Sequence, residues 1–419
     1  MSMFITGNRF FINAMVLLSL CFLPSCNQKG QPEKKPVGLF FSESSNGLPD
    51  SGFWRHGLSL YDFNGDGLMD IFAPPPRMPP EGDNVPFLWQ QKTDGSWVEK
   101  RLDVPADISY DYGGISVNDF NADGIPDLAL AGHLCPLTLL MGTSEGEYSN
   151  APKSLPSNNA LTSRAVDSTD LNNDGRPDIV ACSEANFKRA GYTPKGVWAC
   201  MQSISRWTCN PIGSEDVVRD LFSDQVLIGD VNGDGNKDIA VSSLVSTQSE
   251  IIWLGDGKGS FTPFNQGLTR NAIYLNIALA DINGDDRDDL VASITGFGKD
   301  GFLGLKVFLS GSEGFTEMSG GLPEKEYMVA VAAGDLDGDG NVEIIGATSK
   351  GGIMIYSQAG DVWKKQMVSG IPEDSRNIRI YSVYCMDVNN DGKKDIIYNH
   401  ASVSFETGGI RVFLNQSGK

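Results

Sequence analysis

The chain has 419 residues, 40% of them hydrophobic, and a formal net charge of −20 at pH 7. The hydrophobic content excludes a disordered polymer, and 48 glycines are typical of a turn-dense β protein. The negative charge argues against nucleic acid and against electrostatic binding to anionic lipid, because both would repel the chain.

The N-terminal residues differ in composition from the rest of the chain. A positive charge precedes an apolar stretch that ends in Leu-Pro-Ser followed by Cys26, and residues 1–25 thereby resemble a bacterial lipoprotein signal peptide. We predict a signal peptide over 1–25, acylation of Cys26 and a polar tether over 26–36. The protein would then be exported and lipid-anchored to the bacterial cell envelope, at the outer membrane or cell surface. Pro24 is unusual in such a motif, and a plain secretory signal or a short membrane anchor is the alternative.

A nine-residue pattern, Asp-x-Asn-x-Asp-Gly-x-x-Asp, recurs seven times along the rest of the chain. Consecutive copies are 57, 51, 60, 51, 54 and 52 residues apart. Apolar alternating runs flank each copy, and two further short runs follow it, separated by a Gly/Asp/Ser turn. Four short strands in each repeat predict one blade of a β-propeller. Residues 37–419 are therefore predicted to form an all-β, seven-bladed propeller with four-stranded blades.

The two ends of the repeat region predict how the ring closes. The last copy stops one strand short, after Ile410–Leu414. The N-terminal segment Gly38–Phe41 resembles the fourth strand of another repeat, at Gly314–Thr316. We therefore expect the N-terminal strand to complete the last blade, which would protect the edges of an open array.

The spacing of the repeated loop suits a calcium site. Ca²⁺ takes six to eight oxygen ligands, which positions 1, 3, 5 and 9 can offer from side chains and position 7 from its carbonyl. Position 6 is a turn glycine in all copies but one. We predict up to seven structural calcium ions that stabilise the fold, held by Asp62, Asn64, Asp66, Leu68, Asp70, Asp119, Asn121, Asp123, Ile125, Asp127, Asp170, Asn172, Asp174, Arg176, Asp178, Asp230, Asn232, Asp234, Asn236, Asp238, Asp281, Asn283, Asp285, Arg287, Asp289, Asp335, Asp337, Asp339, Asn341, Glu343, Asp387, Asn389, Asp391, Lys393 and Asp395.

Alternatives to this calcium prediction are limited. An EF-hand is rejected because position 12 is never acidic and strand-like runs flank the loop. Magnesium fits less well, and Asx turns without metal are the alternative. The copies at Asp281 and Asp335 are expected to bind most weakly, because Asp286 replaces the turn glycine and Glu343 closes the loop.

These repeats resemble the FG-GAP/VCBS repeat family, which is also found in integrin α-subunit propellers. The resemblance implies calcium loops between the first and second strands on one face, and ligand binding on the opposite face. Residues that enter the first strand or leave the second are candidates for that face: Trp54, Arg55, His56, Tyr110, Tyr112, His133, Tyr274, Tyr327, Tyr381 and His400. Alternatively, these aromatic residues pack the narrow mouth of the ring.

The sequence favours a binding or scaffold module over an enzyme. It has no Gly-x-Ser-x-Gly nucleophile motif and no His-Glu-x-x-His metal motif. We expect a monomer that meets a protein or glycan ligand on the face opposite the calcium loops, with the membrane contacted only through the lipid. The alternative is a polysaccharide-active lyase or hydrolase, for which His56, His133, His400 and Tyr112 are candidate residues.

Export would place the remaining cysteines in an oxidising compartment. Cys200 and Cys209 lie in two segments that could form a hairpin, and we predict a disulfide between them. A pairing of Cys135 with Cys182 across neighbouring blades is a second possibility, and Cys385 is expected to be a buried thiol.

Overall fold

The computed structural model describes residues 38–77, 84–108, 110–133, 135–151, 155, 163–183, 196–213, 221, 223–243, 250–296, 301–372, 378–402, 404 and 407–418. The regular structure in these ranges is entirely β, so they contain no helix long and apolar enough to cross a bilayer. The predicted signal peptide, the acylated Cys26 and the tether lie outside the described residues.

The described residues form 29 strands. The N-terminal strand is β1 (Leu39–Glu43). Blade 1 contains β2 (Ser59–Tyr61), β3 (Asp70–Ala73), β4 (Phe87–Gln91) and β5 (Trp97–Lys100). Blade 2 contains β6 (Gly113–Asn118), β7 (Asp127–Gly132), β8 (Thr138–Gly142) and β9 (Tyr148–Asn150). Blade 3 contains β10 (Ser163–Thr169), β11 (Asp178–Ser183), β12 (Gly196–Gln202) and β13 (Trp207–Ile212).

The second half of the ring repeats this arrangement. Blade 4 contains β14 (Val226–Gly229), β15 (Asp238–Val241), β16 (Ile252–Gly255) and β17 (Phe261–Pro263). Blade 5 contains β18 (Ala272–Ala280), β19 (Asp289–Gly296), β20 (Phe302–Gly311) and β21 (Gly314–Glu317). Blade 6 contains β22 (Met328–Gly334), β23 (Glu343–Thr348), β24 (Ile353–Ala359) and β25 (Val362–Lys365). The short β26 (Val368–Ser369) precedes β27 (Ile378–Met386), β28 (Asp395–Ser402) and β29 (Gly408–Asn415).

The last blade is completed from the other end of the chain. Strand β1 pairs antiparallel with β29, with Phe41 opposite Asn415, and parallel with β26, with Leu39 opposite Val368. The blade therefore has the strand order β27, β28, β29, β1, with β26 added at its outer edge. The predicted seven-bladed propeller and its closure by the N-terminal strand are both confirmed.

Apolar cores between neighbouring blades hold the ring together. Buried residues of blades 1 and 2 form one cluster, and similar clusters join the other neighbours around the circle. The last blade, blade 7, is joined to blade 1 in the same way, through Ile410 and Val412 packed with Ile71 and Trp89. The second strands are buried along their whole length in blades 1 and 2, as expected for sheets covered on both faces.

The cysteines are only partly as expected. Cys200 and Cys209 face each other across the β12–β13 hairpin and form a disulfide. The suggested pairing of Cys135 with Cys182 is wrong, because Cys182 is a buried thiol. Cys182 packs among the apolar residues shared by blades 3 and 4, facing away from blade 2. Cys385 is an unpaired, half-buried thiol, and burial raises its pKa to about 12.

Candidate functional site

The seven aspartate loops share one backbone conformation. In every loop, positions 4 and 6 both have a positive φ, of 57° to 75° at position 4 and 64° to 87° at position 6. Glycine adopts this conformation freely, whereas Ala122 at position 4 of the second loop is forced into it. The sequence pattern predicted the turn at position 6 but not the one at position 4, where Gly and Asn predominate.

The position-1 carboxylate organises each loop by accepting backbone N–H groups. In the fourth loop, Asp230 Oδ1 accepts from Gly233 (2.8 Å) and Asp234 (3.1 Å), and Oδ2 accepts from Gly235 (2.8 Å). The bond from position 6 to Oδ2 of position 1 is present in all seven loops. The loop therefore folds around its first aspartate, which is half-buried in each copy.

Positions 3 and 5 continue this chain of hydrogen bonds at the surface. In the fourth loop, Asn232 Oδ1 accepts from Asp234 N (3.1 Å) and Asp234 Oδ1 accepts from Asn236 N (2.8 Å). The position-5 aspartate is exposed in six of the seven loops, and Asp285 is half-buried. Each loop therefore presents several oxygen donors, a donor set that suits a hard cation such as Ca²⁺.

Position 9 connects the loop to the blade behind it. Asp238 is fully buried, and its two carboxylate oxygens accept N–H bonds from Val231 (2.7 Å) at the loop start and Gly255 (2.8 Å) at the end of the third strand. The same pair of bonds is made by Asp70, Asp127, Asp178, Asp289 and Asp395. Burial raises the pKa of each of these aspartates to about 6, and the two backbone donors oppose that rise.

Side chains at the end of the third strand also join neighbouring blades. Asn415 donates to Leu336 O (2.6 Å) of the blade before it, Gln202 donates to Phe120 O (2.8 Å), and Ser310 donates to Val231 O. Each of the three also gives its backbone N–H to the position-9 aspartate of its own blade. In these blades, one residue therefore bonds through its backbone to the buried aspartate and through its side chain to the neighbouring blade.

The third, fifth and sixth loops depart from the common pattern. Asp286 adopts a φ of 64° and donates its N–H to Asp281 Oδ2 (2.9 Å), so the fifth loop keeps its shape. At position 7, Arg176 and Arg287 form ion pairs with Asp174 and Asp285 of their own loops.

The sixth loop is the most acidic. Oxygen atoms of Asp335, Asp337 and Glu343 lie within 4.8 Å of one another, the one such acidic trio within the described ranges. Glu343 Oε2 accepts the N–H of Leu336 (2.8 Å), and burial raises the pKa of Glu343 to about 8.

The face of the ring opposite the aspartate loops contains a central cavity of about 500 Å³. Because each aspartate loop joins a first strand to a second, residues that enter the first strand or leave the second lie at the other end of the blade. The first strand of every blade contributes to the cavity wall: Ser59, Ser116, Val166, Val226, Asn276, Val329 and Val383.

Arginines and aromatic rings surround this cavity. The guanidinium of Arg77 lies over the rings of Phe53 (5.7 Å) and Tyr112 (5.3 Å). That of Arg379 lies over Tyr381 (5.2 Å) and Tyr327 (6.0 Å).

A second pair of arginines shares one carboxylate. Asp224 lies 3.2 Å from Arg55 and 3.1 Å from Arg164. Sequence reasoning missed Asp224 and Phe53; Asp224 could have been found as an acidic residue two positions before a first strand.

A family model described as an FG-GAP-like repeat matches residues 62–130, 119–181, 226–292 and 335–398, which together are more than half of the chain. The chain belongs to the FG-GAP-like repeat family. No curated protein matches it.

Some residues predicted for the ligand face of this FG-GAP-like propeller come together. His56 stacks on Tyr112 (5.1 Å between ring centroids), and Tyr112 stacks on His133 (4.8 Å). His56 Nε2 lies 3.3 Å from the Arg164 guanidinium. Burial and the nearby arginines lower the pKa of His56 well below its ordinary value, so the ring is neutral and can accept this bond.

Other residues predicted for this face of the FG-GAP-like propeller are buried packing residues. Trp54 packs edge-on to Trp89. Tyr110 and Tyr274 are buried and donate their hydroxyls to Pro105 O (3.1 Å) and Thr269 O (3.2 Å). For these three residues, the structure matches the alternative that the aromatics pack the ring.

His400 is also buried. It is 5% exposed, and burial lowers its pKa to about 4. Its ring contacts Tyr398 (5.8 Å between ring centroids), a residue of the core between the last two blades, and not the stack formed by His56, Tyr112 and His133 among the described residues.

Proposed function

We propose that this propeller is a calcium-stabilised, lipid-anchored module of the bacterial cell envelope that binds a protein or glycan partner. The observation that carries the proposal is the division of the ring into a face of acidic loops and an opposite face with an arginine-lined cavity. The FG-GAP-like propeller fold is consistent with an interaction module, and the partner would meet the cavity face.

The acidic loops support the calcium part of the proposal. Each loop holds oxygen donors at positions 1, 3 and 5 and has a carbonyl available at position 7. Bound calcium would supply two positive charges to each group of mutually repelling carboxylates. The chain's own residues would hold the loop in shape, since its backbone N–H groups are already bonded to positions 1, 5 and 9.

The lipid anchor rests on the sequence around Cys26. Metabolic labelling with an alkyne fatty acid tests it directly in the native host. We expect label on the wild-type chain and none on Cys26→Ser, while the matched variant Cys385→Ser keeps the label. Equal labelling of Cys26→Ser would contradict the anchor.

Partner binding is tested with the calcium-loaded chain on an array of purified glycans and envelope proteins. We expect saturable binding to at least one surface component, with no product released over days. An array without any binding would count against an interaction module.

A polysaccharide-active lyase or hydrolase is the second candidate. The stack of His56, Tyr112 and His133 beside Arg164 favours it, because a neutral base next to a guanidinium suits proton abstraction beside a carboxylate. Release of unsaturated or reducing ends from a bound polysaccharide, abolished in His56→Ala or His133→Ala, would establish this activity in place of simple binding.

A further inference from the structure

The charge around the central cavity is opposite to that of the whole chain. The protein carries a net charge of −20, yet Arg55, Arg77 and Arg379 all line this one cavity. The acidic side chains that line it are Asp167 and Asp224. Asp224 is already shared by Arg55 and Arg164, and burial raises the pKa of Asp167 to about 6.

Aromatic rings hold two of the arginines in place. Within the described part of the chain, Arg77 and Arg379 form no ion pair, and their guanidinium carbons lie 5.2 to 6.0 Å from the ring centroids of Phe53, Tyr112, Tyr327 and Tyr381. A cation held over the face of a ring is attracted by the ring without a conventional hydrogen-bond acceptor, so the N–H groups of both side chains stay available for an anion. Among the described residues, the buried Arg379 Nε has no hydrogen-bond acceptor. The guanidinium groups of Arg77 and Arg379 are therefore held in place while N–H donors remain available for hydrogen bonds.

The arginines act on a shared region of the cavity. Phe53 and Tyr381 are in ring contact (5.2 Å), which joins the stack of Arg77 to the stack of Arg379. Burial raises the pKa of Tyr381, and the positive charges of Arg379, Arg55 and Arg77 oppose that rise. All three positive charges therefore act on Tyr381, and they favour an anion bound beside this ring.

The cavity wall favours an organic anion over an inorganic one. Ile115, Val166, Val226 and Val329 provide an apolar surface between neutral polar groups such as Ser59. A volume of about 500 Å³ lies within the range of small-ligand sites, about 300–1,000 Å³. A carboxylate matches the planar fork of arginine, and a carbon skeleton would cover the apolar wall.

We propose that the central cavity binds the carboxylate of a small organic acid of the size of one acidic sugar residue, with Arg77 and Arg379 as the residues that hold it. The inference rests on the proposed function, since it names the chemistry of the partner that meets this face. It requires no chemical step and applies to a free acid or to one unit of a glycan.

The test is calorimetric titration of the calcium-loaded chain with glucuronate. Its methyl ester and glucose serve as neutral probes of nearly the same shape. We expect saturable binding of glucuronate, weakened about 10- to 100-fold by Arg77→Gln or Arg379→Gln, because a charge-assisted hydrogen bond is lost. Arg206→Gln, at the exposed β12–β13 turn, is the matched control and should bind like wild type.

Further arms separate the possible outcomes. Arg379→Lys keeps the charge but not the fork, and should fall between wild type and Arg379→Gln. Tighter binding of an oligouronate than of glucuronate would identify a glycan source, and equal binding a free acid. Melting temperatures of each variant establish that it is folded.

The inference is overturned if the methyl ester binds as well as glucuronate, if inorganic phosphate or sulfate binds as tightly, or if both Gln variants bind like wild type. Binding of neutral partners alone on the array would overturn this inference and leave the proposed interaction module standing. An array and a titration that both lack binding would remove both proposals.

Discussion

The two faces of this propeller are built in different ways. On one face, seven loops repeat the same backbone turn and the same hydrogen bonds, from position 6 to position 1 and from position 2 to position 9. On the other face, the cavity is lined by arginines that occur in only some blades, at Arg55, Arg77 and Arg379. Repetition therefore builds the ring, and departures from repetition build the candidate binding site.

The charged side chains of the two faces also differ in their interaction partners. Aspartates of the loops accept backbone N–H groups of their own blade, so each carboxylate already stabilises local structure. Arg77 and Arg379 are stacked on rings and keep donors available. The loop face should consequently control stability, and the cavity face should control binding.

Removing calcium should give the largest effect. At a free calcium concentration 100 times Kd, each site contributes about 2.7 kcal/mol to the free energy of unfolding. Several occupied loops together should raise the melting temperature by at least about 10 °C. The measurement is thermal unfolding in calcium and in excess chelator, with magnesium as the control ion. Identical melting in calcium and chelator would contradict the stabilising role of the loops.

Substitutions within one loop should separate its two kinds of aspartate. Asp238→Ala leaves two buried N–H groups, those of Val231 and Gly255, without an acceptor, and should cost about 2–5 kcal/mol with or without calcium. Asp234→Ala, at the exposed position 5, should cost stability only when calcium is present. Denaturant unfolding of both variants in calcium and in chelator checks this. Equal calcium dependence of the two variants would show that position 9 acts only through the metal.

The pH dependence should reveal the buried His56 on the cavity face. Its pKa is lowered in the folded state, so the unfolded state binds more protons below about pH 6.5, its ordinary value. Stability should therefore fall as the pH drops from 6.5, by up to about 1.4 kcal/mol per pH unit from this group. His56→Gln should lose that part of the slope at saturating calcium. An unchanged slope would mean that His56 is not neutral and buried.

Relieving the strained position 4 of the second loop should have a smaller effect. Ala122 has a φ of 62°, where a side chain costs about 1–2 kcal/mol relative to glycine. Ala122→Gly should stabilise the protein by about 1 kcal/mol, less the entropy cost of glycine. Asn390→Gly, at the same position of the seventh loop, should change stability less, since asparagine tolerates this conformation. Urea unfolding of both variants measures the difference.

The smallest expected change concerns the arginines at position 7. Arg176 is paired with Asp174, a predicted calcium ligand, and so competes with the cation. Arg176→Ala should raise the calcium affinity of the third loop by a few fold, consistent with a partly exposed ion pair worth about 0.2–1 kcal/mol. Terbium luminescence titration can follow this change, with Lys393→Ala as the control at the same position of another loop. A decrease in affinity would contradict the competition.

The sequence was sufficient for the ring, because each repeat carries its own turn and strand pattern. The match between Gly38–Phe41 and Gly314–Thr316 even predicted the pairing of β1 with β29. The bonds of the position-9 aspartates to the third strand were not predictable. Each aspartate bonds to a backbone N–H group 15 to 24 residues further on, and the residue type at that donor position differs between blades, as at Gly142 and Gln202.

The cavity was harder to predict for a different reason. Its arginines and rings come from connections of unequal length and meet only when the ring closes. The aromatic pattern named Tyr327 and Tyr381, which line the cavity, together with Trp54 and Tyr110, which are buried in the core. A ring near the start of a first strand can point into the cavity or between blades, and the one-dimensional pattern is the same in both cases.

The division of labour between the faces is tested most directly by one calorimetric experiment on the double variant Arg77→Gln/Arg379→Gln. Calcium is titrated first, and glucuronate is then added to the calcium-loaded chain. We expect calcium binding of the same stoichiometry and affinity as wild type, together with loss of glucuronate binding. If calcium binding fell together with glucuronate binding, or if glucuronate binding survived, the two faces would not have these separate roles.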